Sequence, residues 1–329
     1  MKNFMYSDLK IEKIKRDMKE LWKNTFHDST RYIDLVFDTY YKPENAFTVY
    51  DGNKLIASLL GVKYYFQAYD ERGEYRLLKG MYLCGLATHP SFRKRGIMTN
   101  LMKEAEISAK DRGYDLTFLI PADSHLRRYY EGKGYKTASF RHCQVLNNEK
   151  SSSKSKLHIY TFQEFLKSGN FGFIEDIAQW CIDLEKRATH GITLLHSKKD
   201  MITVIEENEN SFFLTDSSFD SEYPILAKVK AVVFPRVSDE KNGRWEINGI
   251  YNVDSSGISY NDHFIAIPKE IIESLMSIHP DLSLEFNLPL CSEVRSEGEV
   301  SPYAMVKPLG NEKIPKNENP VFKISLMLD

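Results

Sequence analysis

Four cysteines in 329 residues, Cys84, Cys143, Cys181 and Cys291, are too few and too far apart for a disulfide framework, and they lack the paired spacing of a zinc site. They read as reduced core residues, and no metal is expected. No apolar run approaches the ~20 residues that a membrane helix needs, and the start Met1-Lys2-Asn3-Phe4 lacks a signal peptide's apolar segment. A membrane is therefore not an expected partner, and the cytoplasm is the default location. A net charge of −2 supplies no general attraction to nucleic acid, which leaves nucleic acid out as a partner too. Neither a P-loop nor a dinucleotide-binding glycine signature occurs, which argues against the common nucleotide enzymes. What is present is a globular composition, 42% hydrophobic with 12% aromatic residues, in a chain long enough for two domains.

The chain is organised around residues 81–101. The apolar run 81–87 is consistent with a buried strand. His89-Pro90-Ser91 interrupts it, and Ile97, Leu101, Met102 and Ala105 then recur at helical spacing. Between strand and helix lies Arg93-Lys94-Arg95-Gly96. A glycine at the mouth of a helix lets a ligand come close to the backbone, and the free N–H groups of the first turn favour an anion. Three consecutive cations add charge at the same point, so the natural guest is a phosphate or pyrophosphate.

This stretch resembles motif A of the GNAT acyltransferase superfamily, in which Arg or Gln, two residues, Gly, one residue, then Gly or Ala cradle the pyrophosphate of acetyl-CoA. Arg93 and Gly96 match, and Met98 stands where a small residue is usual. A larger residue there, and the approach Leu86-Ala87-Thr88-His89-Pro90, are similar to the tandem-domain branch related to the enhanced intracellular survival acetyltransferases. Downstream, Tyr130-Glu131-Gly132-Lys133-Gly134-Tyr135 resembles the superfamily's closing helix with its Tyr, three residues, Gly, aromatic ending. The resemblance implies an α/β fold of layered α+β type, with a mixed, mostly antiparallel sheet that splays where acetyl-CoA enters.

Along the chain, Ile11, Ile14, Met18, Leu21 and Trp22 predict an amphipathic helix over 10–26, and Ser29 an N-cap for a second helix ending before Pro43. Strands over 46–50 and 55–66 join at Asp51-Gly52-Asn53. A strand at 115–121 follows, and residues 140–146 would close a catalytic domain spanning 1–146. Residues 147–156 are polar and patternless, which makes a linker. The remainder, 157–329, offers helices at 173–186 and 268–278 and strands at 211–215, 225–234, 245–253, 282–286 and 322–328. It looks like a second, degenerate GNAT-like domain, with a sterol-carrier-like cap as the alternative, and its last strand is expected to dock toward the active site. No residues there repeat the Arg93 to Gly96 signature, so that half is expected to bind no acetyl-CoA.

The implied activity is an acetyl-CoA-dependent N-acetyltransferase acting directly on a primary amine. The implied cofactor contacts are Arg93, Lys94, Arg95, Gly96, Ile97, Met98 and Thr99 for pyrophosphate, with Leu86, Ala87 and Thr88 pairing with the pantetheine arm. Tyr130 takes the place of the tyrosine that protonates the leaving sulfur, and a phenol of pKa ~10 stays protonated at neutral pH. Many members carry a basic Glu on the central strand, and 81–87 has none. In the enhanced intracellular survival enzymes a C-terminal carboxylate assists the amine, so the resemblance gives Asp329 that role. His27, in the loop that borders the acceptor site, is the candidate substrate contact. Cys84 has no His or acid close in sequence and reads as core rather than nucleophile. Small amines, an aminoglycoside-like antibiotic, a peptide N-terminus and lysine all remain open as acceptors, as does self-association. The competing reading is a non-enzymatic CoA-binding or partner-binding scaffold, which would have no need of Tyr130.

Overall fold

The computed structural model describes residues 8–69, 74–143, 157–161, 174–186, 192–207, 212–216, 229–239, 244–254, 257–259, 284–286, 288–289, 299–310 and 322–324. The chain divides into two units. The first takes in Met1–Tyr65, Leu77–Lys136 and Ala304–Ile314, and the second takes in Phe66–Arg76, Thr137–Tyr303 and Pro315–Asp329.

In the first unit, α1 (Asp8–Phe26) buries the stripe Ile14, Met18, Leu21 and Trp22 and turns its lysines outward, as the three-to-four spacing requires. Lys15 and Lys19 meet Asp38 and Asp34 of α2 (Thr30–Tyr40), each at 2.8 Å. Ser29 caps α2, its Oγ accepting the Tyr32 N–H at 3.1 Å. The strands β1 (Ala46–Asp51), β2 (Lys54–Tyr69) and β3 (Tyr75–Thr88) follow, the end of β2 from Phe66 and the start of β3 to Arg76 counting with the second unit, then α3 (Ile97–Asp111), β4 (Leu116–Leu119) and α4 (Ser124–Glu131). This is the layered order of helices and mixed sheet expected from the sequence. The sheet runs β2, β3, β4, with β1 antiparallel on β2 and β3 parallel to β4. Its α3 and α4 face forms a core of Leu59, Met81, Leu83, Leu101, Met102, Ala105, Tyr114, Tyr130 and Tyr135.

The strand on the far side of β4 comes from elsewhere. After β5 (Lys136–Thr137), β6 (Phe140–Cys143), from the segment expected to close the first domain, lies in a three-stranded sheet of the second unit. The partner of β4 is Met305–Pro308, antiparallel, with Met305 opposite Leu119 and Pro308 opposite Leu116. Met305 and Val306 are buried, and Lys307 reaches Glu106 of α3 at 2.6 Å. The other oxygen of Glu106 accepts the Tyr135 hydroxyl at 3.1 Å, and that hydroxyl lies 2.9 Å from Thr117 Oγ1 on β4. One charged clasp thus ties α3, β4, the segment after α4 and the incoming strand.

The second unit holds β7 (Leu157–Thr161), α5 (Ile174–Glu185), β8 (Ile192–Leu195), α6 (Lys198–Glu207), β9 (Phe212–Asp216), β10 (Val229–Asp239), β11 (Arg244–Asp254), β12 (Gly257–Ser259) and β13 (Leu284–Phe286). Next come β14 (Leu288–Pro289) and β15 (Glu299–Pro302), both paired with β6; Met305–Pro308 of the first unit is β16, and β17 (Phe322–Lys323) is parallel to β8. The strands β12, β11, β10, β9 and β7 form a sheet in that order, with β13 on β11. The helix expected at 268–278 and the linker at 147–156 lie outside the described residues.

Between α5 and α6 sits a buried ion cluster. His196 Nδ1 is 2.6 Å from Glu185 Oε1, and its Nε2 faces Asp200 at 4.0 Å, with all three side chains almost wholly buried. Burial alone would push the imidazolium pKa down, but Glu185, through charge and hydrogen bond, and Asp200 outweigh it and raise it to about 9. Because the folded pKa exceeds the unfolded one, the contribution, roughly 3 kcal/mol, is complete below about pH 6.5 and is lost as pH rises through about 9. Urea midpoints measured from about pH 6 to about pH 9.5 should therefore fall more steeply for wild type than for His196→Gln. Parallel curves would show that the cluster does not hold its proton.

Candidate functional site

The site begins where two strands part. The β3–β4 ladder runs through Gly80, Met81 and Tyr82 opposite Leu116, Thr117 and Phe118 and ends there, while β3 continues to Thr88. The edge of β3 beyond Tyr82 is therefore not in a ladder with β4. Within that stretch Gly85 takes a positive φ, +60, which kinks the strand locally. A Cβ there would lie 2.2 Å from the Trp22 ring, so no larger residue fits without moving the indole. Leu86, Ala87 and Thr88 form the last stretch of this edge, with Ala87 buried and its two neighbours half-buried.

The chain then makes a 3-10 turn, Pro90–Phe92, held by the His89 N–H donating to Ile56 O at 2.8 Å. Two of the three cations fold back to brace the turn. Arg93 Nε donates to Thr88 O and Arg95 Nη2 to Ser91 O, both at 3.0 Å, and the Arg95 guanidinium lies 5.0 Å from the Phe92 ring centre. Lys94 and Gly96 both take positive φ, 62° and 77°, and this tight coil presents backbone N–H groups at the start of α3. Gly96 is the N-cap and has no side chain to satisfy those donors; a Cβ would meet nothing within 4 Å. The first turn, Ile97, Met98 and Thr99, carries no acidic residue. A cationic, glycine-capped helix start beside an unladdered strand edge suits an elongated ligand with an amide-rich arm and a pyrophosphate.

On α4, capped by Asp123, two tyrosines face this region differently. Tyr129 is half-buried and its hydroxyl lies 2.9 Å from Thr99 Oγ1. Tyr130 is buried, packed edge-on against Tyr129 at 5.2 Å and Tyr135 at 6.2 Å between ring centres. Burial, then the neighbouring Tyr129 and Asp123, push its phenol up to about 12.

On the other face, His27 is exposed at positive φ, 64°, its N–H donating to Lys23 O. Beside it Asp28 accepts the Trp22 indole N–H at 2.7 Å, and the Trp22 ring is the one packed on Gly85. The α1–α2 loop is in this way fastened to the kink of β3. Cys84 is half-buried, its Sγ 3.7 Å from Leu60 O, as a packing thiol would be. Asp329 lies outside the described residues. Sequence reasoning passed over Gly85 and the Trp22 to Asp28 bond. The first had a signal, a glycine inside an apolar strand pattern; the second had none. No group of metal-binding side chains occurs among the described residues, and no helix there is long and apolar enough to cross a membrane.

A sequence model of the acetyltransferase (GNAT) domain matches residues 7–138. No curated protein matches the chain. Among solved structures, a probable N-acyltransferase from Enterococcus faecalis V583 is similar with a TM-score of 0.61 at 13% identity, over 91% of this chain and 71% of that one. A GCN5-related N-acetyltransferase from Anabaena variabilis gives 0.58 at 12% identity, over 92% and 71%. Eis1 from Mycobacterium abscessus gives 0.57 at 10% identity, over 94% and 73%. At these identities the likeness is one of fold.

Proposed function

We propose that this chain, an acyltransferase whose residues 7–138 are an acetyltransferase (GNAT) domain, uses acetyl-CoA to acetylate a primary amine. The observation that carries the reading is the glycine-capped, cation-braced start of α3 lying directly after the stretch of β3 that runs beyond its ladder with β4. Backbone N–H groups of residues 94–99 hold the pyrophosphate, with Lys94 and the outer guanidinium nitrogens of Arg93 and Arg95 adding charge. The edge at Leu86 to Thr88 pairs with the pantetheine amides. There the Thr88 carbonyl is already taken by Arg93, which leaves Leu86 and Ala87 the larger share. When bound, acetyl-CoA supplies the thioester carbonyl, which exchanges its C–S bond for a C–N bond to the amine. Tyr130 shares its phenolic proton with the departing sulfur, and the proton lost by the amine returns through solvent. Asp28 gives the α1–α2 loop a carboxylate that draws an ammonium acceptor toward the β3 kink, and the exposed His27 lies beside it.

Acetyl-CoA at about 100 times its Kd should stabilise the protein by ~2.7 kcal/mol and raise its Tm accordingly. Gly96→Glu should abolish that shift, because it sets a carboxylate where the anion binds. The variant should still fold, since the site has open space for a Cβ and the positive φ costs only about 1–2 kcal/mol. Equal shifts in both proteins would move the cofactor elsewhere. Thiol release with a panel of amines then separates an enzyme from a scaffold, which would give the shift without release.

A further inference from the structure

The α3 N-terminus and the proposed proton donor lie on different helices, and the structure joins them through one side-chain pair. Thr99, third residue of α3, meets the hydroxyl of Tyr129 at 2.9 Å. Tyr129 is next to Tyr130 on α4, their rings edge to face at 69° with centres 5.2 Å apart. Lys133, one turn on, places its ammonium 5.0 Å from the Tyr129 ring centre. Tyr129 is therefore gripped at three points: hydroxyl, ring edge and ring face. Thr99 sits in the first turn of α3, whose N–H groups have no helical acceptor, and its hydroxyl meets α4. A phenylalanine at 129 would fill the same space, so packing alone does not need the hydroxyl.

We propose that Tyr129 is a positioning residue for the transfer reaction, its hydroxyl bond to Thr99 fixing the register of α4 on α3 so that a donor seated at the α3 N-terminus finds the Tyr130 hydroxyl in place. The inference rests on the reading of the site as an acetyl-CoA acyltransferase. Occupation of the α3 turn and the placing of the proton donor become one event, because the residue whose N–H belongs to the anion site also carries the hydroxyl that holds Tyr129. Near-attack geometry is sensitive to shifts of about 1 Å, and a freed α4 could move by that much.

The test is a double-mutant cycle in the full chain with Tyr129→Phe and Thr99→Val, reading kcat, the KM for acetyl-CoA, Tm and the kcat of Thr99→Ser. Each single change should lower kcat about 5- to 20-fold, and the pair should lose no more than either alone, since both break one bond. KM for acetyl-CoA should stay within about twofold, and Thr99→Ser, which keeps the hydroxyl, should recover most of the turnover. A purely structural role would instead move Tm and leave kcat of the folded fraction unchanged, and that result overturns the proposal. Fully additive losses, or wild-type kcat in Tyr129→Phe, overturn it as well. Absence of thiol release by the wild-type protein with any amine would count against the acyltransferase reading, whereas an active wild type with an indifferent Tyr129→Phe counts against this inference alone.

Discussion

Tyr130→Phe is expected to lower kcat by about 10²-fold while leaving the Tm shift with acetyl-CoA intact. The size follows from acidity. General acids contribute roughly 10²–10⁴-fold, most when their pKa lies near the working pH. Burial and its neighbours hold the Tyr130 phenol at about 12, whereas an ordinary thiol titrates at ~8.5. Complete transfer from phenol to thiolate would thus run uphill by about 5 kcal/mol. In the proposed role Tyr130 would share its proton as charge grows on sulfur without surrendering it early, which places the expected effect at the low end of the range. The same acidity means that ionisation of Tyr130 causes no alkaline fall in kcat below about pH 11. A Phe variant within about twofold of wild type would mean that the sulfur departs without help. Loss of the acetyl-CoA shift would instead mark Tyr130, buried in the core as it is, as a packing residue.

Met305→Asp is expected to abolish both the cooperative melting of the first unit and its response to acetyl-CoA. Met305 is completely buried on β16, opposite Leu119 of β4. An uncompensated carboxylate there costs several kcal/mol, which is comparable with the whole stability of a domain, about 5–15 kcal/mol. Met305→Leu, which conserves volume, should cost less than about 1.5 kcal/mol and keep the shift. Deleting residues 304–314 should behave as Met305→Asp does, since the strand and the Lys307 to Glu106 pair go together. A Met305→Asp protein that melts and binds acetyl-CoA like wild type would show that β4 does not need this neighbour.

Much of the first unit was legible because its signals are local. Ser29 preceded an amphipathic stripe and became the cap it advertised. Gly96 stood between three cations and a helical repeat, and the chain takes positive φ there before α3. What could not be read was pairing at long range. Met305–Pro308 is four residues with a proline, a poor strand by propensity, and it is a strand because β4 offers it an edge. Nor could the sequence show that Phe140–Cys143 pairs with strands near residues 288 and 300. The apolar run 81–87 does lie in one strand, but the positive φ of Gly85 and the Trp22 ring that leaves no room for a Cβ there were not legible in it. The partners Glu185, His196 and Asp200 have no telling spacing, and their charges are disclosed as a cluster only when α5 and α6 pack. The spacing to Gly134 and Tyr135 singled out Tyr130 in the sequence, but nothing there pointed to the bond between Tyr129 and Thr99.

The position of β16 also constrains how the protein can be made. When β4 leaves the ribosome, the strand that will lie beside it has not been translated. Close to 190 residues separate Leu119 from Met305, which at ~5–20 residues per second is on the order of 10–40 s of synthesis. For that interval the sheet of the first unit presents an unsealed edge, the feature that invites strands of other chains. The nascent first unit is therefore expected to need protection of that edge until Met305 to Pro308 has been made. Ribosome stalling or premature termination anywhere between those two strands should yield aggregates and not a smaller working enzyme.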